Sequence, residues 1–208
     1  MMDPHAQAAL QHLRDPSQFH WSAVTLLLVV LYVYVEQARA GRWSVVLGGL
    51  AFWLMDWVNE IVNGLLFHFS GFAPAWSTAG SSAYTVLIGL NIEISLMFAL
   101  MGVVALRTLP ETAPGPLRQR LLIASLSALA CVLVELVLHQ LGALQWAWQD
   151  WNAHHPFLIW LLGYMPFFLL AYGVHDLPSR RLQLLVVGSL ATLVIAALIV
   201  FIPVLHWI

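Results

Sequence analysis

Four polar side chains in one apolar stretch, Asp56, Asn59, Glu60 and Asn63, recur at spacings of three and four residues. At about 100° per residue they occupy a single helical arc roughly 100° wide, so all four point the same way. A second stretch carries Glu135, His139 and Trp146, separated by four and seven residues and therefore also on one face. A carboxylate one turn from an imidazole can hold its tautomer, tune its proton affinity or join it as a metal ligand. Two carboxyls meeting in an apolar interior supply a general acid and a general base. Glu60 and Glu135 are therefore the expected central pair, with His139 as tuner or relay and with Glu93 and Asp56 as further catalytic candidates. Asn59, Asn63, Asn91, Trp57, Trp146, Tyr164 and His155 are the expected substrate contacts. The competing reading is that these stripes are hydrogen-bonded glue between helices.

The surroundings make the carboxylates costly. The chain has 208 residues, 61% hydrophobic and 9% charged, with a mean hydropathy of +0.84. Soluble domains carry about 25% charged residues, so the solvent expected for this chain is a bilayer. Its eight basic residues are all Arg and the formal net charge is -2, which leaves no basic face for nucleic acid. With no Lys in the chain, a Schiff base and a phosphate-loop lysine are both excluded. Cys131 is alone, so no intramolecular disulfide forms. A charge at mid-bilayer costs at least about 2.5–3.5 kcal/mol, so several in one bundle imply a purpose.

A bilayer core needs about 20 apolar residues per helix. Six runs meet this, approximately Trp21 to Gln37, Trp43 to Phe69, Ser82 to Leu106, Leu121 to Leu144, Pro156 to Val174 and Leu182 to Ile208. The fold expected is all-α, one antiparallel bundle of six transmembrane helices over 21–208 behind a tail of residues 1–20, with short breaks such as Ala40 to Arg42 and Pro110 to Pro116. Arg39, Arg42, Arg107, Arg118, Arg120, Arg180 and Arg181 occupy alternate connections, and Arg14 stands at the opposite end. The positive-inside rule puts the arginine-rich end in the cytoplasm and both termini with the Trp-rich loops outside, in a cytoplasmic (inner) membrane. Glu60, Asn63 and Glu135 then fall in the outer half, with His68 near the mouth.

Other features have weaker signals. Asn91 and Glu93 lie two positions apart and face nearly opposite ways, so one of them can enter a shared cavity; the carboxylate is preferred, and Asn91 is expected to bond between helices. Gly163-Tyr164-Met165-Pro166 predicts a kink that makes room beside Tyr164. The final run has no charge within its apolar stretch and reads as a lipid-facing wall. Glu60-Ile61-Val62 echoes Glu135-Leu136-Val137, each followed by a Gly and a Trp-bearing loop, a faint internal repetition. Arg14, the run from Ala23 to Val35 and Ala38-Arg39-Ala40 loosely mimic a cleaved signal peptide, against which stand Asp3 and Asp15 in the leading segment.

The function expected is acid/base chemistry on a lipid-soluble molecule, such as an isoprenoid or sterol-like isomerase, cyclase or hydratase, with aromatic faces steadying a cationic intermediate. Small helical membrane enzymes such as sterol isomerases and membrane terpene cyclases also combine buried acids with aromatic walls, an analogy of chemistry and not of sequence. The reaction needs no cofactor or else an unknown metal, for which Glu60, Glu93, Glu135 and His139 would be the ligands. Alternatives are a proton- or cation-coupled transporter, a haem protein with His68 and His139 as axial ligands, and an assembly subunit whose polar stripes seat partner helices. The expected partners are the bilayer and its lipid-soluble guest.

Overall fold

A computed structural model of the chain describes residues 1–78, 83–109 and 115–208. Its helices are α1 (Pro4–Gln11), α2 (Trp21–Arg39), α3 (Trp43–Ser70), α4 (Ile92–Arg107), α5 (Leu117–Gln140), α6 (Pro156–His175) and α7 (Arg180–Val204). Four short strands, β1 (Ser77–Thr78), β2 (Thr85–Leu87), β3 (Leu90–Asn91) and β4 (Leu144–Gln145), lie in the connections.

The sequence accounts for the helix limits. Asp3 caps α1 by accepting from the His5 and Ala6 amides, and Ser179 accepts from Leu182 N to cap α7. Gly41 turns the chain between α2 and α3 at φ 74°, and Gly71 stops α3 at φ 59°, a left-handed conformation that costs glycine least.

Among the described residues five helices, α2, α3, α5, α6 and α7, are long and apolar enough to cross a membrane. The third expected span is different. Instead of a helix from Ser82, the chain forms a β2–β3 hairpin with Thr85 paired to Asn91, and α4 starts only at Ile92. Its 16 residues reach about 24 Å. The cause is local: the Asn91 side chain accepts from the Ile94 amide at 2.8 Å, an N-cap that fixes the helix start. Ser82 itself, with the Gly80-Ser81-Ser82 segment, and most of the expected Pro110 to Pro116 turn lie outside the described residues.

In the bundle α3 is central and α2 and α7 are peripheral. Of the most apolar stretch of α3, 61% is buried, against 11% for α2 and for α7, so the last helix is peripheral, as its composition suggests. Phe52 of α3 anchors the core, its ring 5.0 Å from Phe168 and 5.3 Å from Phe167. Backbones of α3 and α4 touch at Gly102, where an added Cβ would come within 2.8 Å of the Gly49 carbonyl. Small residues allow this approach, which lets backbone atoms gain the dispersion contacts that drive helix association in lipid.

The two ends of the bundle differ in chemistry. At one, Arg120 makes a bidentate pair with Asp176 at 2.7 and 2.9 Å, and Arg180 lies 3.7 Å over the Trp43 ring. At the other, residues 1–20 fold back against the loops. Ala6 and Ala9 are buried, and Arg14 donates to the Val86 carbonyl at 3.1 Å and to the Ile208 carbonyl at 3.0 Å. Both chain ends therefore meet at the same end of the bundle, beside the Trp-rich connections.

Candidate functional site

The two Trp-rich connections are joined to each other. Strand β1 of the first pairs antiparallel with β4 of the second, Ser77 opposite Gln145 and Thr78 opposite Leu144. This ladder leaves Trp76 and Trp146 at its flanks, one from each connection. Each indole then reaches down to a glutamate on the helix preceding its own loop. Trp76 Nε1 donates to Glu60 Oε1 at 2.6 Å, and Trp146 Nε1 donates to Glu135 Oε1 at 3.0 Å. Each loop is thereby tied by a hydrogen bond to a buried carboxyl on a helix. The faint repetition of Glu60-Ile61-Val62 and Glu135-Leu136-Val137 thus has a counterpart in contacts, without implying duplication.

The glutamates share an environment. Glu60 and Glu135 are both buried, beneath two loops that the β1–β4 ladder joins. The Tyr164 hydroxyl sits beside Glu135, and Asp56 is near both Tyr164 and Glu60. Asp56 and Glu60 thus lie one turn apart on α3, and Tyr164 of α6 lies beside Glu135 of α5. Among the described residues, Glu60 Oε2 and Asp56 Oδ2 are buried without hydrogen-bond partners. Glycine is required beside the first of these, because a Cβ on Gly89 would stand 2.7 Å from Glu60 Oε2 and 2.5 Å from the Trp76 ring. Trp151 stacks on Trp76 with centroids 5.3 Å apart, closing the cluster on the loop side.

Supporting residues hold this geometry. Asn63, fully buried, accepts from the Ala75 amide at 2.7 Å and donates to the Trp76 carbonyl at 2.8 Å, so it clamps the backbone that aims Trp76. Asn59 donates to the carbonyl of Gly163 at 3.0 Å. That carbonyl lies in a π-helical turn over Ile159–Tyr164, which adjoins the Gly163 to Pro166 segment where a kink is expected. His139 has its Nδ1 3.0 Å from the Leu144 carbonyl and its ring stacked on Trp146 at 4.1 Å. Both asparagines bond to backbone and His139 braces β4 and Trp146.

Several expected members stand elsewhere. Glu93 accepts from Ser22 at 2.9 Å, joining α4 to α2, and Asn91 is committed to its N-cap. Trp57 packs with Ile61, Leu87 and Val194 in the apolar contact of α3 with α7. His155 precedes α6 as an exposed residue. Because Glu93 lies with Ser22 and His139 is engaged by Leu144, the set Glu60, Glu93, Glu135 and His139 is not assembled as metal ligands. Among the described residues no three His, Cys, Asp or Glu side chains are grouped to hold an ion. The suggested axial pair also has separate attachments, since His68 stacks on Trp207 at 4.9 Å. Sequence reasoning gave Trp76 and Trp151 no role beyond membership of the Trp-rich loops and did not single out Gly89. The available signal was that a buried indole N–H needs an acceptor.

Comparison with known proteins agrees with the membrane setting. A model described as "Uncharacterized membrane protein family" matches residues 3–203, and the chain belongs to that family. It is similar to a protein of Archaeoglobus fulgidus named "Uncharacterized protein", with 46% identity over 206 residues covering 98% of each chain. A shorter protein of the same organism, with the same name, is 43% identical over 53 residues, which cover 26% of this chain and 95% of its own. No solved structure matches. The chain is a multi-pass membrane protein.

Proposed function

We propose that this protein is a membrane enzyme that moves protons on a lipid-soluble substrate, with Glu60 and Glu135 as its acid/base pair. The observation that carries this reading is that two buried glutamates, from α3 and α5, are each held by an indole from a different one of the two paired loops. Structural glue alone would be served by amides or hydroxyls, at much lower desolvation cost than carboxylates.

The chemistry that fits is a double-bond shift. A protonated carboxyl adds its proton to one carbon of an alkene, and the electron pair of the double bond forms the new C–H bond. The resulting carbocation loses a proton from a neighbouring carbon to the second carboxylate, and the released C–H pair becomes the new double bond. Atoms, charge and oxidation level balance without a co-reactant. The stacked rings of Trp76 and Trp151 offer π faces to the cation, and Tyr164 beside Glu135 orients the acceptor. Isoprenoid or sterol-like molecules are the substrate class that such a centre suits. The same reading places the arginine end in the cytoplasm and the indole-capped end outside the cell membrane.

Purified protein in liposomes made from a total membrane lipid extract, incubated in D2O, tests this by mass spectrometry. Deuterium should enter carbon positions of one lipid component, and Glu60→Gln and Glu135→Gln should each abolish incorporation while the protein remains folded. Incorporation at the wild-type rate in either variant, or none with the wild type, would overturn the reading.

A further inference from the structure

A groove of about 550 Å³ lies between the N-terminal segment, the end of α3 and the end of α7 with the residues that follow it. That volume is within the roughly 300–1,000 Å³ of small-molecule sites. Leu10, Leu13, Phe67, Leu87 and Ile202 make its walls apolar. Arg14 also lines it, but its guanidinium is committed to the Val86 and Ile208 carbonyls at 3.1 and 3.0 Å. His68 and His206 add two exposed imidazoles, a side chain that serves a hydroxyl as donor from one nitrogen and as acceptor at the other. Apolar walls with a few hydrogen-bonding groups and a guanidinium already in use complement an uncharged amphipath.

The groove and the Glu60 carboxyl share a wall. Gly64, one turn beyond Glu60 on α3, lines the groove, and a Cβ there would come within 2.8 Å of the Ile208 side chain. Leu87 and Ile88 line it as well, and the next residue is Gly89, whose added Cβ would stand 2.7 Å from Glu60 Oε2. Trp76 holds Glu60 Oε1, whereas Oε2 is buried without a hydrogen-bond partner. The unpartnered oxygen of the acid therefore lies against the same short stretch of backbone, residues 87–89, that walls the groove.

Backbone geometry singles out the same place independently. Ile202 and Pro203 belong to a π-helical turn over Val200–Val204, and both line the groove. Among the described residues, the non-glycine residues with positive φ are Arg14 at 58° and His206 at 55°, again both in its lining. Conformations of these two kinds concentrate at functional sites and ligand clamps.

We propose that this groove receives the substrate of the Glu60 centre, a neutral isoprenoid alcohol whose apolar chain lies along the Leu10, Leu13, Phe67 and Ile202 wall and whose hydroxyl bonds to His68 or His206. The proposal rests on the acid/base reading for its link to Glu60. It adds where the guest docks, that the guest is uncharged, and that it reaches the carboxyl past Gly64 and Gly89, where the wall carries no side chain.

Geranylgeraniol is the probe, offered to full-length protein in an uncharged detergent and followed by native mass spectrometry and thermal shift. It should bind one to one and raise the melting midpoint, in the wild type and in Glu60→Gln alike, because the groove holds it without the chemistry. Geranylgeranyl phosphate should bind no more tightly, since the Arg14 donors are already in use. Leu10→Trp and Ile202→Trp, which fill the groove from opposite walls, should each weaken geranylgeraniol by about tenfold and raise the lipid concentration needed for deuterium incorporation in liposomes. Absence of a one-to-one adduct, unchanged binding in both tryptophan variants, or tighter binding of the phosphate would each overturn the proposal. Deuterium incorporation with an unchanged lipid dependence in both variants would overturn the groove as the route to Glu60. Binding by the wild type with no deuterium incorporation would overturn the acid/base reading and uphold the groove as a site for the neutral alcohol.

Discussion

Asn59 on α3 repairs the backbone that Pro166 breaks on α6. A proline has no N–H for the carbonyl four residues earlier, which here belongs to Leu162. The Asn59 amide lies 3.0 Å from the Gly163 carbonyl and 3.5 Å from that of Leu162. It supplies a donor across the helix interface, closest to the Gly163 carbonyl, at the π-helical turn that leads into Tyr164. Such turns are frequent at functional sites.

Replacing Asn59 by Ala should therefore cost about 1–3 kcal/mol, the usual penalty for a buried carbonyl left unpaired. Pro166→Ala restores a backbone donor to Leu162, so it should recover part of that loss when combined with Asn59→Ala. Melting midpoints of the two single variants and the double variant measure the coupling. Strict additivity would show that the amide and the proline act separately.

Gly89 provides a sharper steric prediction. Its Cβ would collide with both the Trp76 ring and Glu60 Oε2, so Gly89→Ala should push the indole off its carboxylate. The expected signature is a changed tryptophan emission together with a loss of about 1–3 kcal/mol. Gly173, which has nothing within 4 Å of an added Cβ, is the control. Gly173→Ala should be neutral or stabilise by up to about 1 kcal/mol.

The spans were legible in the sequence because lipid imposes a length and an apolar composition on each helix. The Asp56 to Asn63 stripe was legible because helical periodicity fixes which side chains share an arc. What periodicity cannot encode is how a loop returns over a helix end. The pairing of β1 with β4 joins residues 77 and 145, and that closure, with the Asn63 clamp, brings Trp76 onto Glu60. The third helix failed for a different reason. Hydropathy alone ran through Thr85-Val86-Leu87, whereas the N-capping chemistry of Asn91, present in the sequence, decided where the helix begins. Glu93 was chosen over Asn91 because a carboxylate is harder to hide, yet Ser22 on α2 provides it with a partner outside the pair.

At the arginine end, stability should depend on pH through Asp176. Burial pushes its carboxyl up, but the hydrogen bonds and charge of Arg120, with His175, outweigh this and hold it below the usual carboxylate range. A depressed folded value means the contribution is complete above the unfolded pKa of about 3.9 and is lost as pH falls through the lower folded value. Asp176→Ala leaves the Arg120 guanidinium, 6% exposed, without its counter-charge and should cost about 3 kcal/mol at neutral pH. Unfolding followed from pH 7 to below pH 4 should show the gap between variant and wild type narrowing on the acid side. A gap constant over that range would assign the loss to packing alone.

His139 is predicted to act through one specific ring nitrogen. A carbonyl only accepts, so the 3.0 Å contact with Leu144 requires the proton on Nδ1. The other nitrogen, Nε2, then carries the lone pair in the neutral ring. An asparagine amide can place an N–H near the Nδ1 position, whereas glutamine extends it toward Nε2. His139→Asn should therefore retain the tie to Leu144 and with it the β4 register that keeps Trp146 on Glu135. His139→Gln should lose that tie, for about 1 kcal/mol, and the Trp146 hydrogen bond should loosen with it. Melting midpoints together with the indole N–H resonance of Trp146 separate these outcomes. If His139→Gln behaves like His139→Asn, the imidazole serves only as a stacking surface for the indole.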